Sequence, residues 1–261
     1  MSKLFRRFFP SLVLAGLLVA SMVPTVPADE GWFVPGLPDL TPVIGPWQGT
    51  VAFGLNGTSG NSENVDLNLN VDATRELPSG SLELLVSYFY AENAFVTTTD
   101  RVFSKARHER NLANPDFTWY CSGTAEWDRF TGYDFRLALH TGVGILFYED
   151  ELCSFKGRTG LGASREYGGV QDDWIPELEL GLDWHRHLSD RTRLFANSDF
   201  YPNVQDFRQY RVNTRAGFDT LLDARLGISL QTFVLNRYNS APDPGFQAND
   251  LDYGLSLAFD F

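Results

Sequence analysis

The sequence predicts an all-β fold, a transmembrane antiparallel meander barrel of about 12 strands closed by pairing of the first and last strands. Three observations predict it. Period-two alternation begins after Trp47 and continues to the end of the chain. No amphipathic helix and no apolar run of helix-spanning length interrupts it. The last stretch, "LDYGLSLAFDF", sets Leu251, Tyr253, Leu255, Leu257, Phe259 and Phe261 in one apolar row, with small or acidic residues in the other. Chain ends are usually loose and polar. A final strand that pairs with the first must instead keep its pattern to the end, because lipid tolerates no open sheet edge.

The first 46 residues stand apart. Lys3, Arg6 and Arg7 precede an apolar run from Phe8 to Val23, and Val26-Pro27-Ala28 supplies the small residues of a cleavage point. That layout is a secretory signal peptide over residues 1–28, cut near Ala28. An uncleaved anchor is the alternative, but the run falls short of the ~20 residues of a span, and Pro10 and Pro24 bracket it. No Cys follows the run to carry a lipid. Residues 29–46 hold four prolines and no period, and read as an extended lead. Residues 47–261 make the barrel domain.

The alternation places strands at 47–56, 64–75, 81–91, 101–112, 117–128, 134–147, 153–166, 175–187, 192–201, 207–219, 224–237 and 250–261. The second is the clearest. Val65, Leu67, Leu69, Val71 and Ala73 alternate with Asp66, Asn68, Asn70, Asp72 and Thr74. Connections after even strands are short and turn-like ("ELPSG", "ANPD", "YEDEL", "LSDRT", "TLLDA"). Those after odd strands are mostly longer ("GTSGNSE", "AENAFVTTTD", "EYGGVQDDW", "NSAPDPGFQAN"), with "RFTGY" and "PNVQD" as exceptions. Short turns at one end and longer loops at the other fit an outer-membrane barrel with both termini in the periplasm.

Alternation alone leaves a soluble β-sandwich open, with its apolar row turned inward. Four features favour the barrel. Twelve strands enclose more space than one row of small side chains fills. Strands of ten or so residues match a tilted membrane span. The polar row carries charges of both signs, among them Lys105, Arg107, Glu126, Lys156, Glu177, Asp199, Arg237 and Asp252. Aromatic residues such as Tyr88, Trp119, Trp127, Trp184 and Tyr210 gather near strand ends, as in membrane girdles.

The net charge is −12, and it falls to −15 once Lys3, Arg6 and Arg7 leave with the signal peptide. This argues against a nucleic-acid partner. Cys121 and Cys153 are too few for a disulfide scaffold, and one strand lies between theirs, so both are expected free.

The apolar C-terminal row, Tyr253, Leu255, Leu257, Phe259 and Phe261, resembles the assembly signal of bacterial outer-membrane proteins. That resemblance implies recognition by the barrel-assembly machinery. A wider resemblance rests on "WQGTVAFGLNGTSGNSENVDLNLN" (47–70), "TGVGILFYED" (141–150), "GRTGLGASREY" (157–167) and the block from 188 to 238. In these stretches the chain resembles a family of uncharacterised bacterial outer-membrane β-barrels, described as salt-induced, over residues 47–261. The resemblance implies the barrel fold and carries over no catalytic or binding residue.

Few motifs carry chemistry. "GTSGNSEN" (57–64) is Gly-rich but precedes a strand, so it reads as a hairpin loop rather than a phosphate cradle. Asp183, His185 and His187 share the polar face of one strand and are weak candidate metal ligands. A lipid-acting hydrolase would need Ser, His and Asn or Asp on the outer face. His108, with Ser104 nearby, is the histidine placed for it. No cofactor is expected. The expectation is therefore a non-enzymatic barrel in the outer membrane of a diderm bacterium, with lipid as its surroundings. Its lumen would pass ions or small solutes or be plugged by salt bridges. Arg136, Arg158, Arg211 and Arg215 facing Asp66, Asp72, Glu179 and Asp183 are the expected constriction.

Overall fold

The computed structural model describes residues 47–58, 64–169 and 172–261. The expected signal peptide and Pro-rich lead lie outside the described residues. The strands are β1 (Gln48–Thr58), β2 (Asn64–Leu77), β3 (Gly80–Asn93), β4 (Val96–Asn111), β5 (Phe117–Asp128) and β6 (Phe135–Glu149). They continue as β7 (Cys153–Tyr167), β8 (Ile175–Ser189), β9 (Thr192–Pro202), β10 (Tyr210–Asp223), β11 (Ile228–Asn239) and β12 (Asn249–Asp260). Each pairs antiparallel with its sequence neighbours, and β12 pairs with β1 to close the barrel.

The residue rows sort as the alternation requires. Directly paired residues share a face of the sheet, so the registers carry one face around the whole wall. Phe53, Leu69, Leu139, Leu161, Leu180, Leu182, Leu255 and Leu257 point outward and are exposed. Asn70, Arg101, Arg136, His140, Arg158, Glu177 and Glu179 point inward and are buried. The packing is thus inverted relative to a soluble sandwich. Strands of 11 to 16 residues meet or exceed the roughly 9–11 that a tilted span requires. Register shifts at Ala91/Glu92, Leu146/Tyr148, His187/Ser189 and Leu221/Asp223 all fall near strand ends, where bulges occur at barrel rims.

One connection differs from expectation. "AENAFVTTTD" reads as a loop because Thr97, Thr98 and Thr99 break the alternation. The structure runs β3 and β4 on to a two-residue turn at Ala94 and Phe95, with φ of 48° and 63°. The β-branched threonines suit the strand, and the primed turn matches its twist. At the closing seam, Gly49 N–H donates to Phe261 O and Phe261 N–H to Gly49 O, both at 2.9 Å. The terminal phenylalanine is part of the closure.

Candidate functional site: a charge-filled lumen

The lumen is crossed by ion pairs in three clusters. The first centres on Arg158 of β7. Its guanidinium contacts Asp183 and reaches Asp199 at 2.7 Å. Lys105 reaches the same Asp199 at 3.0 Å from β4, while Arg107 contacts Glu109 at 3.0 Å and Asp183 at 3.8 Å. The second centres on Glu126 of β5, which accepts from Arg237 at 2.7 Å and from Arg136 at 3.1 Å. Arg136 also contacts Glu166. The third lies between β5 and β10. Tyr120 donates to Glu179 at 3.0 Å, and Arg211 donates to Glu177 at 2.7 and 2.9 Å. Arg101–Asp252 and Arg215–Asp72 add further cross-barrel contacts. An apolar contact joins them, Phe89 against Phe233 at 6.1 Å, with Arg101 over Phe89.

Small residues in the wall make room for these long side chains. Inward positions of β6, β7 and β8 include Gly142, Gly160, Gly162 and Gly181. A Cβ on Gly160 would meet Tyr120 Oη at 2.4 Å, one on Gly162 would meet His140 Cδ2 at 2.3 Å, and one on Gly181 would meet Arg158 Nη2 at 2.6 Å. The polar side chains lie flat on this glycine surface and reach strands beyond their neighbours.

All eight expected constriction residues sit on the inner face. Arg158 meets Asp183, and its Nε stands 4.0 Å from Glu179. Arg215 meets Asp72 at 3.4 Å. Two pairings need correction. Arg136 goes to Glu126 and Glu166, its direct cross-strand partners on β5 and β7, and Arg211 reaches past β9 to Glu177 of β8. Asp66 is exposed at the other edge of β2. Sequence reasoning missed Tyr120 and Tyr201 as members and the glycine surface altogether. The period-two glycines of "TGVG" and "GRTGLG" are the signal that marks that surface.

The weak metal candidates do not converge. Asp183 is taken by Arg158 and Asn197, and the His185 and His187 rings stand 6.3 Å apart. Among the described residues no group of three or more His, Cys, Asp or Glu is arranged to hold a metal. On the outer wall His108 pairs across strands with Leu82 and Cys121, and its ring packs at 6.2 Å on Trp119. Cys121 and Cys153 are both free. At the turn end the lumen opens into a cavity of about 350 Å³ lined by His187, Arg191, Arg193, Asp219, Gln231 and Asp260.

These features belong to a class, closed β-barrels with an apolar exterior and a charged interior. The chain belongs to the family described as "Protein of unknown function, DUF481", whose model matches residues 51–261. No curated protein matches it in sequence. Among solved structures it is similar to an outer membrane channel from Pseudomonas putida F1, with 11% identity and TM-score 0.49, over 90% of this chain and 100% of that one. It is also similar to the translocator domain of the autotransporter NalP from Neisseria meningitidis, with 14% identity and TM-score 0.42, over 82% and 87%. A Pseudomonas aeruginosa FadL homologue is similar at 9% identity and TM-score 0.36, over 77% and 69%. Likeness this distant carries no argument about activity.

Proposed function

We propose that this protein resides in the bacterial outer membrane, exported by a signal peptide cut near Ala28, as a non-enzymatic barrel whose lumen is closed at rest by its own ion pairs. One observation carries the reading. Arg237 on β11 bonds Glu126 on β5 at 2.7 Å, and those strands stand six places apart in the ring of twelve. Opposite walls therefore touch. Further along β5, Tyr120 and its partner Glu179 are 0% exposed, which supports a filled interior there as well. Buried pairs of this kind are costly to desolvate, so they mark a specific closed arrangement more than a source of stability. Apolar residues outside and charges inside are what a bilayer demands of a barrel.

The test is conductance of the refolded protein in planar bilayers at neutral pH, with a heat-modifiable band confirming the fold. The expected result is silence. A steady current that scales with salt would return the barrel to the open-channel reading, with the charged lumen favouring cations through its net negative charge.

A further inference from the structure

The outer wall of β6 to β9 carries a depression that the closed lumen does not explain. Directly paired residues share a face, so the registers line up outward side chains in rows. Tyr148 of β6, Phe155 of β7 and Trp184 of β8 form one row near the turn end of the barrel. Rings in a row of this kind mark a membrane–water boundary. The next row toward the membrane is Ile145, Gly157, Leu182 and Ser198. The one after it is Val143, Thr159, Leu180 and Phe200. Gly157, Thr159 and Ser198 stand low beside Leu180, Leu182 and Phe200. They leave a mostly apolar groove of about 330 Å³, lined by Ile145, Phe147, Thr159, Leu182, Ser198 and Phe200. The Phe147 ring folds over Gly157, meets Phe155 at 5.2 Å and makes one bank. The Ser198 hydroxyl already shares a hydrogen bond with Thr214 at 3.0 Å.

Across the aromatic row stands Arg186, outward on β8 two residues past Trp184 and exposed. It lies in register with Cys153 and Leu194. It makes no ion pair with a described residue. The carboxyl of Asp150, on the adjoining turn, is held by the Tyr148 hydroxyl and the N–H groups of Leu152 and Cys153. Leu182 and Arg186 are four residues apart, about 14 Å along the strand.

Two needs therefore sit on one line of β8. The groove needs an apolar filler, because a void forfeits the dispersion contacts of its lining. It is continuous with the face turned to lipid, so the filler is an acyl chain. The guanidinium needs an anion, and its planar fork suits a phosphate. We propose that β6 to β9 form a site for one phospholipid of the periplasmic leaflet, with an acyl chain in the groove and the phosphate on Arg186. The proposal rests on the outer-membrane reading. The leaflet follows from the chain ends, since Arg186 lies at the same end of the barrel as Gln48 and Asp260. Trp184 stands between groove and guanidinium, where its indole N–H can donate to the ester groups.

The experiment is native mass spectrometry of refolded, delipidated protein in detergent, titrated with palmitoyl-oleoyl phosphatidylethanolamine. One adduct should form at about tenfold lower lipid than those that follow, the margin of one charge-assisted bond. Arg186→Gln should bring that first adduct down to the level of the rest. Thr159→Phe, which fills the groove, should do the same. Arg110→Gln, an outward arginine of β4 at the same rim, should leave it unchanged. Diacylglycerol with the same chains should give wild type no favoured adduct. Adducts of equal strength in wild type would mean annular lipid only and overturn the site. Equal loss in Arg110→Gln would reduce it to unspecific charge, and an unaffected Thr159→Phe would remove the groove from it. If Thr159→Phe yields no heat-modifiable band, Arg186→Gln and diacylglycerol decide. Wild type that stays monomeric and soluble without detergent would overturn the outer-membrane reading itself, a result separate from any ranking of adducts.

Discussion

The wall of β6, β7 and β8 and the seam between β1 and β12 close one barrel by different means. Along the wall, backbone pairing runs the length of the strands, from Phe135↔Tyr167 to Glu149↔Ser154 and from Ser164↔Ile175 to Cys153↔Arg186. Its inner glycines carry Tyr120, His140 and Arg158. The seam keeps register only from Thr50↔Asp260 to Phe53↔Leu257, extended by the reciprocal bonds of Gly49 and Phe261. Beyond that, a side chain bridges it. Ser256 Oγ donates to Asn68 Oδ1 of β2 at 2.7 Å, passing Gly54, where a Cβ would meet Asn68 Nδ2 at 2.4 Å. Stability in the wall is spread over many backbone bonds. In the seam it is concentrated at the chain terminus, so the seam is where local opening should begin.

The largest predicted effect attacks the wall. In Gly162→Val the new Cβ would fall 2.1 Å from the Leu139 carbonyl oxygen and against the His140 ring. Backbone cannot yield as a side chain tip can. Overpacking here should cost about 3 kcal/mol, the upper part of its usual range. Urea unfolding followed by tryptophan fluorescence checks it, and an unchanged midpoint would show that the glycine surface is incidental. The next effect attacks the seam. Deleting Phe261 removes two hydrogen bonds to Gly49, worth about 2 kcal/mol together. In cells the same deletion should lower barrel yield further, if Tyr253, Leu255, Leu257, Phe259 and Phe261 act as the assembly signal.

A smaller effect sharpens the contrast within the seam itself. In a background of Cys121→Ala and Cys153→Ala, the pair Phe53→Cys and Leu257→Cys lies in register and should oxidise to a disulfide. The pair Leu55→Cys and Leu255→Cys, beyond the paired segment, should cross-link several-fold less. Equal yields on a non-reducing gel would mean the seam is uniformly zipped. The smallest effect lies at a turn. The Tyr148 hydroxyl and the N–H groups of Leu152 and Cys153 hold the Asp150 carboxyl below the usual carboxylate range. A depressed folded-state pKa adds stability above the unfolded value, and that stability is lost as pH falls through the folded one. Asp150→Asn should therefore abolish the acid-induced loss of protection at the Cys153 amide, measured by hydrogen exchange corrected for intrinsic rate.

The barrel was legible because a membrane wall imposes one rule on every strand. Leu67 against Asn68, or Leu257 against Ser256, declares its face without knowledge of any partner. The terminal row told the same story for closure. What the alternation cannot supply is the partner across the lumen. Arg237 and Glu126 are separated by 111 positions, and their meeting depends on the stagger of six strands. Arg136 meets Glu126 and Glu166 by a shorter route, since both are its direct cross-strand partners on β5 and β7, but that pairing depends on registers the alternation does not specify. The β3–β4 hairpin was hidden because Thr97, Thr98 and Thr99 carry strand propensity without polarity contrast. The glycines of β7 looked like turn formers one at a time, and only their period of two sets them on the inner face.

The central claim is that apolar side chains face lipid while the charged row encloses a lumen without free water at its middle. A nitroxide scan of single cysteines over residues 251–259, in the cysteine-free background, tests it most directly. Leu251, Tyr253, Leu255, Leu257 and Phe259 should collide strongly with oxygen dissolved in the bilayer. Asp252, Gly254 and Ser256 should be shielded from oxygen and from a water-soluble relaxing agent alike. Oxygen contact at the even positions, with the odd ones protected, would contradict the inverted packing. Free access of the water-soluble agent to Gly254 and Ser256 would contradict the closed lumen.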